Sequence, residues 1–230
     1  MITSYETMPL GVYINVLAVL EDEKRDELST QVGLVAALSK CTEEEVLLLP
    51  VPEFSERAHQ LGFLENAPAE TIFTEAPKTI ELNGKTYEVH TDADKLTTAQ
   101  FVDYQTVIKQ GRDGWPGLVA ILLVPEGKGY GHTGAGDPLA YDAEEVKKAV
   151  ADYMPVGQAN GLVNFFWRKS VESARASLTC LTSKIDRLPK GPGKEEAKKQ
   201  LRRARASLRA ATALLKPSAG STPSSKSPTR

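Results

Sequence analysis

Asn83-Gly84 separates two short alternating stretches, Thr79 to Leu82 and Lys85 to Val89. Asn followed by Gly accepts two positive φ angles in succession, which is what a tight turn needs if its twist is to match the strands it joins. The segment therefore predicts a two-stranded β-hairpin over 79–89. Just downstream, Thr97 and Gln100 stand three apart at the start of a run with Phe101, Tyr104 and Ile108. That spacing is a capping box: each side chain can accept a hydrogen bond from the other residue's backbone N–H, opening an amphipathic helix. Gly111 and Gly114 then interrupt the helix ahead of Leu118 to Val124, the most apolar stretch of the middle and the expected centre of the core.

Around this block the chain reads as helical. In the first 77 residues, Thr7 is placed to cap a helix carrying Leu10, Tyr13, Ile14, Leu17 and Leu20. Val12, Val16 and Val19 widen that stripe until the helix is apolar almost all round, the mark of a buried one. Leu28, Val32, Val35 and Leu38 mark a second helix that ends near Lys40. Thr42 with Glu45 repeats the capping box ahead of Leu47 to Leu49. Pro52 opens a further helix with Phe54, Ala58 and Leu61 on one side and Gly62 as its stop, and Glu65 to Pro77 reads as a connector. Residues 78–188 combine the hairpin with a helical core. Within them Pro125 to Leu139 holds five glycines and two prolines and is expected to be a mobile surface loop. Asp142 and Glu145 cap a helix to about Tyr153, and Pro155 starts a long one. Its NGLVNFFW stretch, Asn160 to Trp167, is expected to fill the core together with Phe101, Tyr104 and Trp115.

From Ala174 the apolar positions Leu178, Leu181, Ile185 and Leu188 alternate steps of four and three, the spacing of a helix-packing seam. After a turn at Lys190 to Gly193, residues Ala197, Leu201, Ala204, Leu208, Ala211 and Leu215 repeat it, which predicts an antiparallel helical hairpin. Residues 189–216 thus form a basic amphipathic arm, and 217–230, rich in Ser, Pro and Lys, are expected to be disordered. The expected fold class is mainly α: a helical domain with one small two-stranded β-hairpin and a C-terminal helical hairpin.

A formal net charge of -2 hides a division. Residues 184–230 hold 13 Lys and Arg against 3 Asp and Glu, giving +10, so residues 1–183 carry -12. Lys194, Lys198, Lys199, Arg202, Arg203, Arg205 and Arg209 ring the polar side of the arm. Such a stripe can follow phosphates with a steep salt dependence, but it lacks aromatics for base stacking. Docking on an acidic protein surface, of the chain's own body or of a partner, is the favoured use. Tyr130 and His132 in the glycine loop are candidate contact residues. Cys41 and Cys180, far apart in sequence, are expected to be buried thiols, and no apolar stretch reaches the roughly 20 residues of a membrane helix. A soluble protein of a reducing compartment is expected.

Signs of catalysis are weak throughout. The glycine loop lacks the Gly-Lys-Ser/Thr ending of a phosphate loop. His59, His90 and His132 have no partner at ligand spacing, and Asp92, Asp94 and Asp103 fail as a calcium loop because Thr97 stands where glycine is needed. Glu126 and Asp137 border the loop as a possible carboxylate pair, without a nucleophile at defined spacing. No catalytic residue, cofactor or metal is expected.

Four phrases carry a family resemblance: IELNGKTYEV (Ile80 to Val89), DKLTTAQFVDYQ (Asp94 to Gln105), ILLVPEGKGYG (Ile121 to Gly131), and Phe165 with Phe166 inside a long helix. In this order, after a helical N-terminal third, the chain resembles proteins encoded in the virion-assembly region of tailed bacteriophages and associated with the tail. The resemblance spans about Met1 to Leu188 and leaves out the basic arm. It implies a non-enzymatic tail assembly chaperone, covering the apolar helices of a tape-measure-like protein, or a minor virion structural component, acting in the cytoplasm of the infected host or in the particle. The alternative is a nucleic-acid-associated accessory protein using the arm.

Overall fold

The computed structural model describes residues 1–214 other than 67, 70, 72, 74, 76, 93, 94, 133–135 and 190, with side chains for all of these but 112, 207 and 210–214. Asp94, Gly134, Lys190, Leu215 and the expected disordered extension 217–230 thus lie outside the described residues. The chain is mainly α and divides into two compact units, Met1–Phe166 and Trp167–Arg230.

The first unit opens with four helices. Helix α1, Leu10–Leu20, starts from Pro9 and not under a Thr7 cap. The reason is a tie on either side of Pro9: Leu10 N–H donates to the Met154 carbonyl and Val156 N–H to that of Met8, so 8–10 runs extended beside 154–156. Leu10, Val12 and Val16 of α1 are buried, whereas Leu20 is half exposed, so the helix is covered on one side and not all round. Helix α2, Glu27–Ser39, is capped by Asp26 and ends at Lys40 in the left-handed region, where the sequence placed its end. Helix α3, Glu43–Leu47, carries the expected Thr42–Glu45 capping box. Helix α4, Val51–His59, has Pro52 in its first turn, and a 3-10 segment, Gln60–Glu65, carries the chain past Gly62, which does not act as the stop.

Strands β1, Thr79–Leu82, and β2, Lys85–Val89, pair antiparallel with Leu82 opposite Lys85, and Asn83 and Gly84 take φ of 49° and 72°. A third strand, β3, Leu123–Pro125, joins β2 on its other side. Helix α5, Thr98–Val107, has the Thr97–Gln100 capping box, but its stripe differs from the expected one. Gln100 and Tyr104 point inward while Phe101 and Ile108 are exposed. Gly111, at φ 60°, breaks the helix into a 3-10 turn, Ile108–Gly114, before α6, Trp115–Ile121. Residues 118–124 are all buried, so the expected core centre is the α6–β3 junction.

Helix α7, Ala143–Tyr153, is capped by Asp142 alone; Glu145 pairs with Lys85 instead. Helix α8, Val156–Arg187, follows, its first part in the first unit and the remainder in the second. Gly157 and Gly161 lie one turn apart on α8 where the connector crosses it: Thr71 N–H donates to the Gly157 carbonyl at 3.1 Å, and a Cβ on Gly161 would meet the Thr71 carbonyl. Phe165 and Phe166 are buried, Phe166 edge-on to Tyr104, as the aromatic reading expects of these residues. A second aromatic group links Tyr5 to Phe63 and Tyr13, and Tyr13 to Trp115. Neither thiol is fully buried: Cys41 is half-buried and Cys180 exposed on α8.

In the second unit, α9, Pro192–Leu214, folds back along the end of α8. Lys194 Nζ donates to the carbonyls of Asp186 and Leu188, and Arg205 Nη2 donates to Thr182 Oγ1 at 2.8 Å. These bonds set the two helices antiparallel, as the matched seams predict.

Candidate functional site

Three of the quoted phrases assemble into one scaffold in the first unit. β2 pairs with β3, Gln100 of α5 reaches α6, and the loop after β3 is pinned to α5. Gln100 is fully buried, with Nε2 donating to the Ile121 carbonyl at 3.0 Å and Oε1 accepting from Thr97 N–H at 3.0 Å. A buried amide is tolerated because its donor and acceptor are both used. The glycine loop is tied down the same way. Tyr130 hydroxyl donates to the Asp103 carboxylate at 2.8 Å, and its ring meets Tyr141 edge-on. His132 Nδ1 lies 2.7 Å from Asp137 Oδ2, while Asp137 Oδ1 accepts from Leu139 N–H. Lys128 Nζ and Gly129 N–H bond the carbonyls of Pro138 and Leu139.

The loop read as mobile is therefore cross-braced among its described residues, and both candidate contact residues within it, Tyr130 and His132, are braces. Burial first, then the bond to Asp103, pushes the Tyr130 hydroxyl far above its usual value, and burial holds Tyr141 up at about 12. Asp137 is held below the usual carboxylate range, first by Leu139 N–H and then by His132. A His–Asp pair of this kind orients an imidazole and would serve a nucleophile beside its other nitrogen. Among the described residues, none of the bonds around it brings a Ser or Cys into that position. Glu126, the other acid considered, has its backbone N–H on Thr86 at the end of the sheet. Among the described residues no group of three or more His, Cys, Asp or Glu side chains could hold a metal ion. His59 is exposed and His90 sits 3.8 Å from Glu88.

The basic arm is not one uniform surface. Lys194 caps the last carbonyls of α8, where a cation also complements the helix dipole. Lys198 pairs with Glu195, whose carboxyl is held low chiefly by that bond, and Arg205 is spent on Thr182. Lys199, Arg202, Arg203 and Arg209 stay exposed with no salt bridge among the described residues. The set of seven cations read from the sequence thus separates into two that fasten the hairpin, Lys194 and Arg205, one paired within α9, Lys198, and four that face outward. On the α8 side Leu181 and Leu188 are left about half exposed, with Lys184 between them. No described helix is long and apolar enough to cross a membrane. No protein-family model, curated protein or solved structure matches this chain.

Proposed function

We propose that the chain is a non-enzymatic virion-assembly protein of a tailed bacteriophage, a tail assembly chaperone or minor tail component that binds helical segments of a protein partner in the infected cell. The phrase order is one support. The observation that carries the reading is the incomplete closure of the C-terminal hairpin: Leu181, near the end of α8, and Leu188, the residue that follows Arg187 at its end, remain about half exposed after α9 has packed. Leu188 N–H donates to the Ile185 carbonyl, which carries one last turn to that residue, and positions seven apart return to the same side of such a turn, so the two leucines offer an apolar strip to one more helix. The outward cations of α9 suit an acidic partner.

A pull-down tests this, using the full-length protein and a version ending at Pro189, from cells expressing neighbouring phage genes, washed at two salt concentrations. Recovery of a long helical phage protein by the full-length form, reduced in the shortened form, is the expected result. Full retention by the shortened form would remove the arm from the site. The second reading, binding of nucleic acid, draws on Lys199, Arg202, Arg203 and Arg209. It predicts recovery of nucleic acid alone, by the full-length form alone, and a steep loss between low and moderate salt.

A further inference from the structure

The turn between α3 and α4 is apolar on both sides. Val46 and Leu49 point inward, onto a small cluster with Val32, Val35 and Phe54. Leu47, Leu48 and Val51 point outward and are 69%, 84% and 75% exposed, with Pro50 and Pro52 exposed beside them. Five exposed apolar residues in six positions are more than scattered surface leucines; a contiguous patch of this kind marks an interaction surface. Its ends are acidic. Glu44, three residues before Leu47, and Glu56, five after Val51, are both exposed and in no salt bridge among the described residues. Neighbouring acids are already used: Glu43 pairs with Arg25, Glu45 closes the capping box, and Glu53 pairs with Arg57.

A surface of this composition fits an apolar helical strip flanked by cations. The chain carries one. At the end of α8, Leu181 and Lys184 are exposed and Leu188 follows just past the last helical residue, Arg187, which is exposed as well. Lys184 and Arg187 make no salt bridge among the described residues. We propose that the acidic leucine turn, 44–56, docks the leucine and lysine side of α8 in a second copy of this chain. Each copy holds one face of each kind, so two copies can satisfy both reciprocally in a closed dimer, or continue as a chain if the pairing does not close. The charge division of the sequence, -12 before residue 184 and +10 from it on, gives the two faces opposite signs. The strip is the one that the assembly reading gives to a partner helix, so a second copy and that partner compete for Leu181 and Leu188; light scattering on the purified protein reads self-association alone, and the pull-down reads partner capture.

The test is light scattering on the full-length protein, followed by dilution and salt series. The expected result is a mass of a dimer or more at high concentration, falling on dilution and weakened by salt. Leu48→Glu and Leu181→Glu each place a charge on an exposed side chain, leave the circular dichroism melt unchanged, and raise the dissociation midpoint by about tenfold or more. Glu44→Lys and Lys184→Glu each weaken association by about threefold, and combining them restores it, because the pair is remade with signs exchanged. A monomer at every concentration overturns the proposal. So does association that survives both leucine substitutions, or a monomer that instead binds a synthetic leucine and lysine helix.

Discussion

Asp137 shows what a single side chain does for the glycine loop. It accepts from Leu139 N–H and faces His132, and both partners favour the ionised carboxyl, Leu139 more. A folded-state pKa lowered from the ordinary value of 3.8 means that the contribution to stability is present above about 3.8 and is lost as pH falls through the lower folded value. Between about pH 5 and pH 2.5, limited proteolysis of the loop should therefore rise more in the wild type than in Asp137→Asn, which lacks the titration. Equal acid sensitivity in the two proteins would mean that the brace contributes nothing. Gln100 is the inward counterpart. Gln100→Ala should cost about 1–3 kcal/mol in urea unfolding, because the buried Ile121 carbonyl loses its partner and the capping box loses the bond to Thr97 N–H. Thr97 and Gln100 were legible as a capping box from spacing alone. That Gln100 is buried while Phe101 is exposed was not, because pattern reading ranks glutamine as polar and cannot see that α6 offers it a free carbonyl.

At the scale of elements, what the sequence revealed was whatever a local rule can fix. The β1–β2 turn follows from Asn83 and Gly84, the start of α3 from Thr42 and Glu45, and the hairpin of α8 and α9 from matched apolar steps. What stayed hidden depended on distant chain. β3 has three residues and directly follows a helix, too short to show alternation, and becomes a strand only because β2 presents a free edge. The start of α1 is displaced from Thr7 by the tie of 8–10 to 154–156. The seating of the connector on α8 is another such case. GQANG, residues 157–161, reads as an unremarkable helical stretch, yet its two glycines are where backbone meets backbone. A Cβ at position 161 would overlap the Thr71 carbonyl and press on the Phe73 ring. Gly161→Ala should thus lower stability by about 1–3 kcal/mol and open the connector to protease, although alanine is the better helix former. Unchanged or higher stability would mean that the connector shifts at no cost and its seat on α8 is unimportant.

Across the whole molecule, burial is distributed very unevenly between the two units. The first contains the main core, from Met8 and Leu10 through Leu123 to Leu162, with many side chains fully covered. In the second, Val171 and Leu201 are the only described hydrophobic residues that are buried, and Leu181 and Leu188 stay half exposed. Since apolar burial is the main favourable term in folding and helices of this length gain little from propensity alone, the second unit should be the weaker one. Hydrogen exchange followed by mass spectrometry in mild denaturant should show 192–214 losing protection well before 115–125, as a local opening and not as part of global unfolding. A single coincident loss would mean that the hairpin draws its stability from the rest of the chain. The weakness has a functional sense under the assembly reading. A partner helix that lies along Leu181 and Leu188 adds the burial that the hairpin lacks, and binding to the closed form stabilises it by mass action. Saturating partner should therefore slow exchange across 178–208 and leave 115–125 unchanged. If bound partner slowed the first unit and left the hairpin open, the working surface would be in the body, and the arm would need another explanation.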